Sequence, residues 1–184
     1  FFDLNLFKGR EKTDRHSSMF RPIDASDSDQ FILPEGFKYK IIRKWGDKIN
    51  DSEFFGFNND YVGYLPIDFL VGGSNSNEGL LVINHEFPSP LFINNYTDED
   101  FRKGRIKTKE EVEAEKKSVG ISVIRVRREK GEWNFISDEN YNRRIDAETI
   151  HVVTGNAKSV LGEFAKGTLA NCSGGLTPWG TFLS

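Results

Sequence analysis

The 184 residues carry 25 Lys or Arg against 28 Asp or Glu, so the net charge of −3 argues against a general nucleic-acid partner. No apolar run approaches the roughly eighteen residues that a membrane helix needs. A chain of 184 residues suits one ordinary domain, and its 16 Phe and 17 Gly favour strands and turns over a helix bundle.

Residues 1–35 read as an irregular segment, and the polar run DASDSDQ (24–30) has no usable periodicity. KYKIIRKW (38–45) predicts a strand, followed by GDKINDSEFFGFNND (46–60), a long loop rich in side-chain oxygens. YVGYLPI (61–67) returns to an apolar pattern, with Pro66 at a strand end or a sheet edge. GLLVINHEF (79–87) is the clearest buried strand, because its unbroken apolar run implies cover on both faces.

TKEEVEAEKKSVG (108–120) predicts the one helix. Thr108 and Glu111 form a capping box, Gly120 is placed to end it, and its polar surface marks a solvated insertion. GISVIRVRREKGEWNFI (120–136) predicts a hairpin turning at Gly131. IHVVTG (150–155) is a further short strand, and GTLANC is a candidate strand entering a loop-like end.

Short strands, tight turns and one inserted helix predict an all-β fold. Strands covered on both faces suit a β-propeller, whose blades sandwich one another. A blade takes roughly 40–45 residues, which allows about four blades at most. An incomplete ring would expose unpaired edges. The expectation is therefore a partial propeller, its leading blades completed by residues not in this chain.

Four stretches could carry chemistry. In GFNNDYVGY (56–64), Asn58, Asn59 and Asp60 offer the hard oxygen ligands that calcium takes, or they form an Asx-rich turn. In INHEFPSP (83–90), Glu86 at the end of a buried strand needs a partner or a metal, and His85 is a weaker ligand candidate. The alternative is a salt-bridged Glu86 beside a surface His85. His16 and His151 sit in no ligand-like spacing, and no H-x-x-x-H or C-x-x-C pair exists.

In YNRRID (141–146), Arg143 and Arg144 either grip phosphate or make structural ion pairs, and on a strand only one of them faces a site. The basic runs RKGRIKTK (102–109) and RVRREK (125–130) read as solvated faces. In NCSGGLTPWGT (171–181), Cys172 is the sole cysteine, so an internal disulfide is impossible. It is an inert thiol, a nucleophile or a metal ligand. Gly174 and Gly175 allow positive φ and close backbone approach, an anion cradle that favours thiolate, with Pro178 and Trp179 stiffening the loop.

The blocks GFNNDYVGYLP, LLVINHEF, GISVIRV…GEW, YNRRI and GTLANCSGGLTPWGTFL occur in this order from about residue 36 to the end. Together they resemble the N-terminal part of the PhoX-type alkaline phosphatases, bacterial secreted phosphoesterases. The segment N-C-(A/S)-G-G-x-T-P-W-G-T is the most specific of them. The resemblance implies a propeller domain over 36–184 after the irregular residues 1–35. It implies hydrolysis of small-molecule phosphomonoesters at an iron–calcium cluster in the periplasm or outside the cell.

By the same resemblance Cys172 ligates iron, while Glu86, Asp60 and Asn59 belong to the metal centre. The remainder of the same polypeptide, a partner in folding, supplies further ligands. A thiolate suits a transition metal, and carboxylates and carbonyls suit calcium. Two departures bear on loop geometry. KKSVGISV lacks the histidine often found before its glycine, and TGNAKS (154–159) departs from a glycine-proline-alanine pattern. Two rivals stay open: a non-catalytic calcium-binding propeller that has lost the cluster, and a cysteine-nucleophile hydrolase, which needs a base near the thiol.

Overall fold

The computed structural model describes residues 21–184. The chain divides after Lys40 into two units. In the first, the described residues 21–40 form no helix or strand. Its local order comes from turns such as Phe37 N–H donating to Pro34 O, and from Phe31 meeting Tyr39 edge to face at 5.1 Å. The first twenty positions of the expected irregular segment, His16 among them, lie outside the described residues.

The second unit is built on an antiparallel meander: β1 (Asn59–Pro66), β2 (Glu78–His85), β3 (Gly120–Glu129) and β4 (Glu132–Ile136). A fifth strand, β5 (Arg143–Ile145), pairs with the first half of β3, while β4 takes the second half. Pro66 ends β1 at the sheet edge, where its missing N–H costs no ladder bond. The β3–β4 turn is Lys130-Gly131, both left-handed (φ 51° and 86°), the geometry that matches strand twist in a two-residue hairpin.

Both faces of the meander are covered, as the unbroken apolar run of β2 demands. One face packs Ile83, Ile124 and Val126 with Ile49 and Phe55. The other packs Leu80, Val82, Ile121 and Val123, with Leu65, Tyr141 and Phe182 beside them. The alternation continues past the apolar run. Asn84 therefore belongs to the face of Leu80 and Val82, and His85 to the face of Ile83.

Between β2 and β3 lie three helices, α1 (Pro90–Asn94), α2 (Asp98–Arg102) and α3 (Lys109–Ser118). Thr108 and Glu111 do form the capping box of α3. Gly120 does not cap it as read from the sequence. Val119 is the C-cap, and Gly120, at φ 97°, opens β3, where a Cβ would lie 2.2 Å from Ile145 O. The sequence reading missed α1 and α2, five residues each; α2 has its own capping box, Thr97 with Asp100.

Beyond the meander, β6 (Ile150–Val152) pairs with β7 (Phe164–Lys166), with α4 (Lys158–Leu161) between them. β8 (Gly175–Leu176) pairs with β9 (Phe182–Leu183). Mostly sheet with a few short helices, the chain has the propeller-like architecture expected, since a four-stranded meander is the unit that a propeller repeats. Among the described residues no helix is long and apolar enough to cross a membrane.

Three local expectations fail. Residues 38–45 form no strand; Ile42 instead drops onto the core and the Arg43 guanidinium covers the Phe135 ring at 3.3 Å. GTLANC forms no strand, because Ala170 is left-handed (φ 59°) and breaks the extended path. The basic runs are not bare solvated faces. Arg125 pairs with Glu78 and Asp138, Arg127 with Glu78, and Arg105 with Asp100 and Glu111.

Candidate metal centre

The end of β2 is where separate loops meet. Glu86 N–H donates to Asn58 O at 3.1 Å, just where Asn58 turns left-handed (φ 52°) to start β1. That bond and the pairing of Asn59 with His85 set Asp60 beside Glu86. From the other side, Asn84 Nδ2 donates to Cys172 O at 2.9 Å and to Ser173 O at 3.0 Å.

The result is a three-residue cluster. One ligand atom each of Asp60, Glu86 and Cys172 lies within 4.8 Å of the other two. Asp60 and Cys172 are exposed and Glu86 is half-buried. Asn59, the fourth residue named from the sequence, is exposed at the start of β1 next to Asp60.

The thiol is not set up as a free thiolate. Its hydrogen bond to Asp60, with the negative charges of Asp60 and Glu86 alongside, pushes it up to about 11. The cradle expected to lower it is absent in the form proposed, since neither Gly174 nor Gly175 has positive φ. Gly174 serves close approach instead: a Cβ there would lie 2.7 Å from Tyr61 Cδ1 and 2.9 Å from Phe182 Cζ. Pro178 and Trp179 are exposed, Trp179 by 70%.

His85 is not at the surface. It is fully buried, and burial and then the charge of Arg144 push its imidazole down to about 3, so it is neutral. Its hydrogen-bond partners fix the tautomer. Nδ1 lies 3.0 Å from Phe57 O, which can only accept, so Nδ1 carries the proton. Nε2 then accepts from Ser122 Oγ–H at 2.7 Å, and the same oxygen accepts from Arg144 Nη1 at 2.9 Å. The relay Arg144–Ser122–His85–Phe57 thus ends on the loop that delivers Asp60.

Arg143 and Arg144 do point apart, but among the described residues neither makes the ion pair expected. Arg143 is exposed and donates to Tyr141 O at 3.0 Å. Arg144 is buried and donates to Ser122 and to the carbonyls of Lys117 and Val119; burial lowers it to about 10, so it stays charged. Asn84, Ser122 and the inward role of Arg144 escaped the sequence reading. The one available signal was that two polar residues, Asn84 and His85, continue a fully apolar strand.

Comparison with known proteins adds to this geometry. Residues 18–184 match the family described as alkaline phosphatase PhoX. A comparison with curated proteins finds no match. Among solved structures, Pseudomonas fluorescens PhoX in complex with vanadate, a transition state analogue, is similar, with a TM-score of 0.73 and 27% identity. The likeness covers 89% of this chain and 30% of that one.

Proposed function

The chain belongs to the PhoX alkaline phosphatase family, and from that premise we propose that it forms part of a metal-dependent phosphatase acting on phosphomonoesters. The observation that carries the metal centre is the convergence of Asp60, Glu86 and Cys172 within 4.8 Å. Ligand atoms on opposite sides of one ion stand about 4–5 Å apart, so this spacing fits a shared ion.

The donor set divides by chemistry. Cys172, a soft sulfur ligand, is assigned to iron; Glu86, Asp60 and Asn59, oxygen donors, complete the iron site or hold calcium. Such ions supply Lewis-acid neutralisation of the charge that develops on a phosphoryl group. The chain's own part is positioning. β2 brings Glu86 between the two loops, the His85 relay holds the Phe57–Asn58 corner, and Cys172 anchors rather than attacks. A nucleophilic thiol needs a lowered pKa and a base, whereas this one is flanked by two carboxylates that raise it.

A calcium-only propeller is less well supported, because calcium makes no use of a thiolate. The relative's vanadate complex supports the reaction class, since transition-state analogues bind more tightly than substrates. The secreted character of the resembled family supports a periplasmic or extracellular location, with a small phosphate ester as substrate and the rest of the polypeptide completing the site.

The test is elemental analysis of the intact polypeptide together with hydrolysis of a chromogenic phosphomonoester, with and without chelator. The expected result is iron and calcium in the protein and turnover that chelator abolishes and vanadate inhibits. Protein without iron that hydrolyses the ester at full rate in chelator would overturn the proposal.

A further inference from the structure

We infer that Asn84 is a positioning residue for Cys172: its side-chain amide fastens the Cys172 turn to the end of β2 and so sets the distance from the sulfur to Glu86. The inference rests on the metal-centre reading above for its chemical consequence. The clamp itself rests on geometry alone.

Asn84 is fully buried, with 0% exposure, near the end of a strand whose preceding residues are apolar. A buried primary amide needs partners. Its Nδ2 has two hydrogens, and both are used: one carbonyl belongs to Cys172 at 2.9 Å and the other to Ser173 at 3.0 Å. The opposite amide orientation would set Oδ1 against both carbonyl oxygens, so the pairing allows only this one. Oδ1 is left buried without a hydrogen-bond partner among the described residues. An amide that leaves its own acceptor unsatisfied while spending both hydrogens on one turn is poor as a core filler and effective as a clamp.

The placement also fits. Asn84 and His85 alternate on β2, so each reaches a different loop. His85 Nδ1 holds Phe57 O, on the approach to Asp60. Asn84 holds the Cys172 turn, and Glu86 follows directly with its own N–H on Asn58 O. Three consecutive residues therefore tie both ligand-bearing loops to one strand end and contribute the third ligand. The Cys172 turn has other ties, among them the hydrogen bond from its thiol to Asp60, but these hold side chains and not the backbone of Cys172. Asn171 is held by Thr168 and Ser184, and Gly174 packs on Tyr61, but the carbonyl of Cys172 goes to Asn84.

The test uses the intact polypeptide with Asn84→Ala and Asn84→Ser, which remove the paired donors. Three quantities are read: iron retention against a chelator, the thiolate-to-iron absorption band, and amide hydrogen exchange of residues 170–176 in metal-free protein. Loss of a partner that orients a ligand typically weakens metal retention about 10–100-fold, and a loss of that size is expected in both variants. The absorption band should shift, and exchange in 170–176 should accelerate while the β2–β3 ladder stays protected.

Folded variants with unchanged retention and unchanged exchange would overturn the inference. Global unfolding of both would overturn it too, because Asn84 would then be a core member rather than a clamp. If the wild-type protein holds no metal, the metal reading fails by itself, and the clamp is decided by the exchange rates.

Discussion

His85 Nε2 and Ser122 Oγ lie 2.7 Å apart inside the sheet, and this contact sets the chemistry of the strand end. Phe57 O on one side and Ser122 on the other leave one consistent arrangement, a neutral ring protonated at Nδ1. The 15N shifts of His85 at neutral pH are expected to report that tautomer; an imidazolium or an Nε2–H ring would contradict the relay. Ser122→Ala strips a partner from both His85 and Arg144. It should cost about 1–3 kcal/mol, read as a lower denaturant midpoint at unchanged m.

The two glycines after the thiol should behave differently. Gly174 has Tyr61, Phe182 and Leu183 O within 3.1 Å of any added Cβ, whereas at Gly175 nothing lies within 4 Å. Gly174→Ala should lose about 1–3 kcal/mol through overpacking and displace the Cys172 turn. Gly175→Ala should stay within about 0.5 kcal/mol of wild type. Thermal melts of the pair check this, and equal effects would show that close approach is not why Gly174 is there.

Acid should weaken the fold through Glu148. Hydrogen bonds from Lys116 and then Lys166 hold this carboxyl at about 2, below its ordinary 4.5. In that interval the unfolded chain takes up a proton that the folded one does not. The contribution of Glu148 is therefore complete above about pH 4.5 and disappears as pH falls toward 2. Glu148→Gln should flatten that part of the curve of melting temperature against pH, and added salt should flatten it in the wild type. Superimposable wild-type and variant curves would remove Glu148 from the account.

Legibility followed how local each signal was. The α3 capping box, the Lys130-Gly131 hairpin and the apolar run of β2 are written in neighbouring residues, and each was read from them. Asp60, Glu86 and Cys172 stand out in the sequence as oxygen and sulfur donors in short distinctive motifs. Their adjacency depends on the β1–β2 register and on Asn84, neither of which a local pattern encodes. His85 was misjudged for the same reason: its partners, Ser122 and Arg144, come from β3 and β5, whose pairing is long-range. Residues 38–45 carry strand-forming side chains but take no strand conformation. The Gly174-Gly175 pair suggested a left-handed turn, yet the left-handed residue is Ala170, which has no sequence signature for it.

The proposed metal centre turns on a bond between the Cys172 sulfur and iron. Iron K-edge X-ray absorption on the intact polypeptide, wild type beside Cys172→Ala, tests it most directly. A sulfur scatterer at bonding distance is expected in the wild type, absent from the variant together with most of the iron and the hydrolytic activity. A wild-type spectrum with oxygen and nitrogen neighbours alone, or a variant that keeps its iron and its turnover, would contradict it.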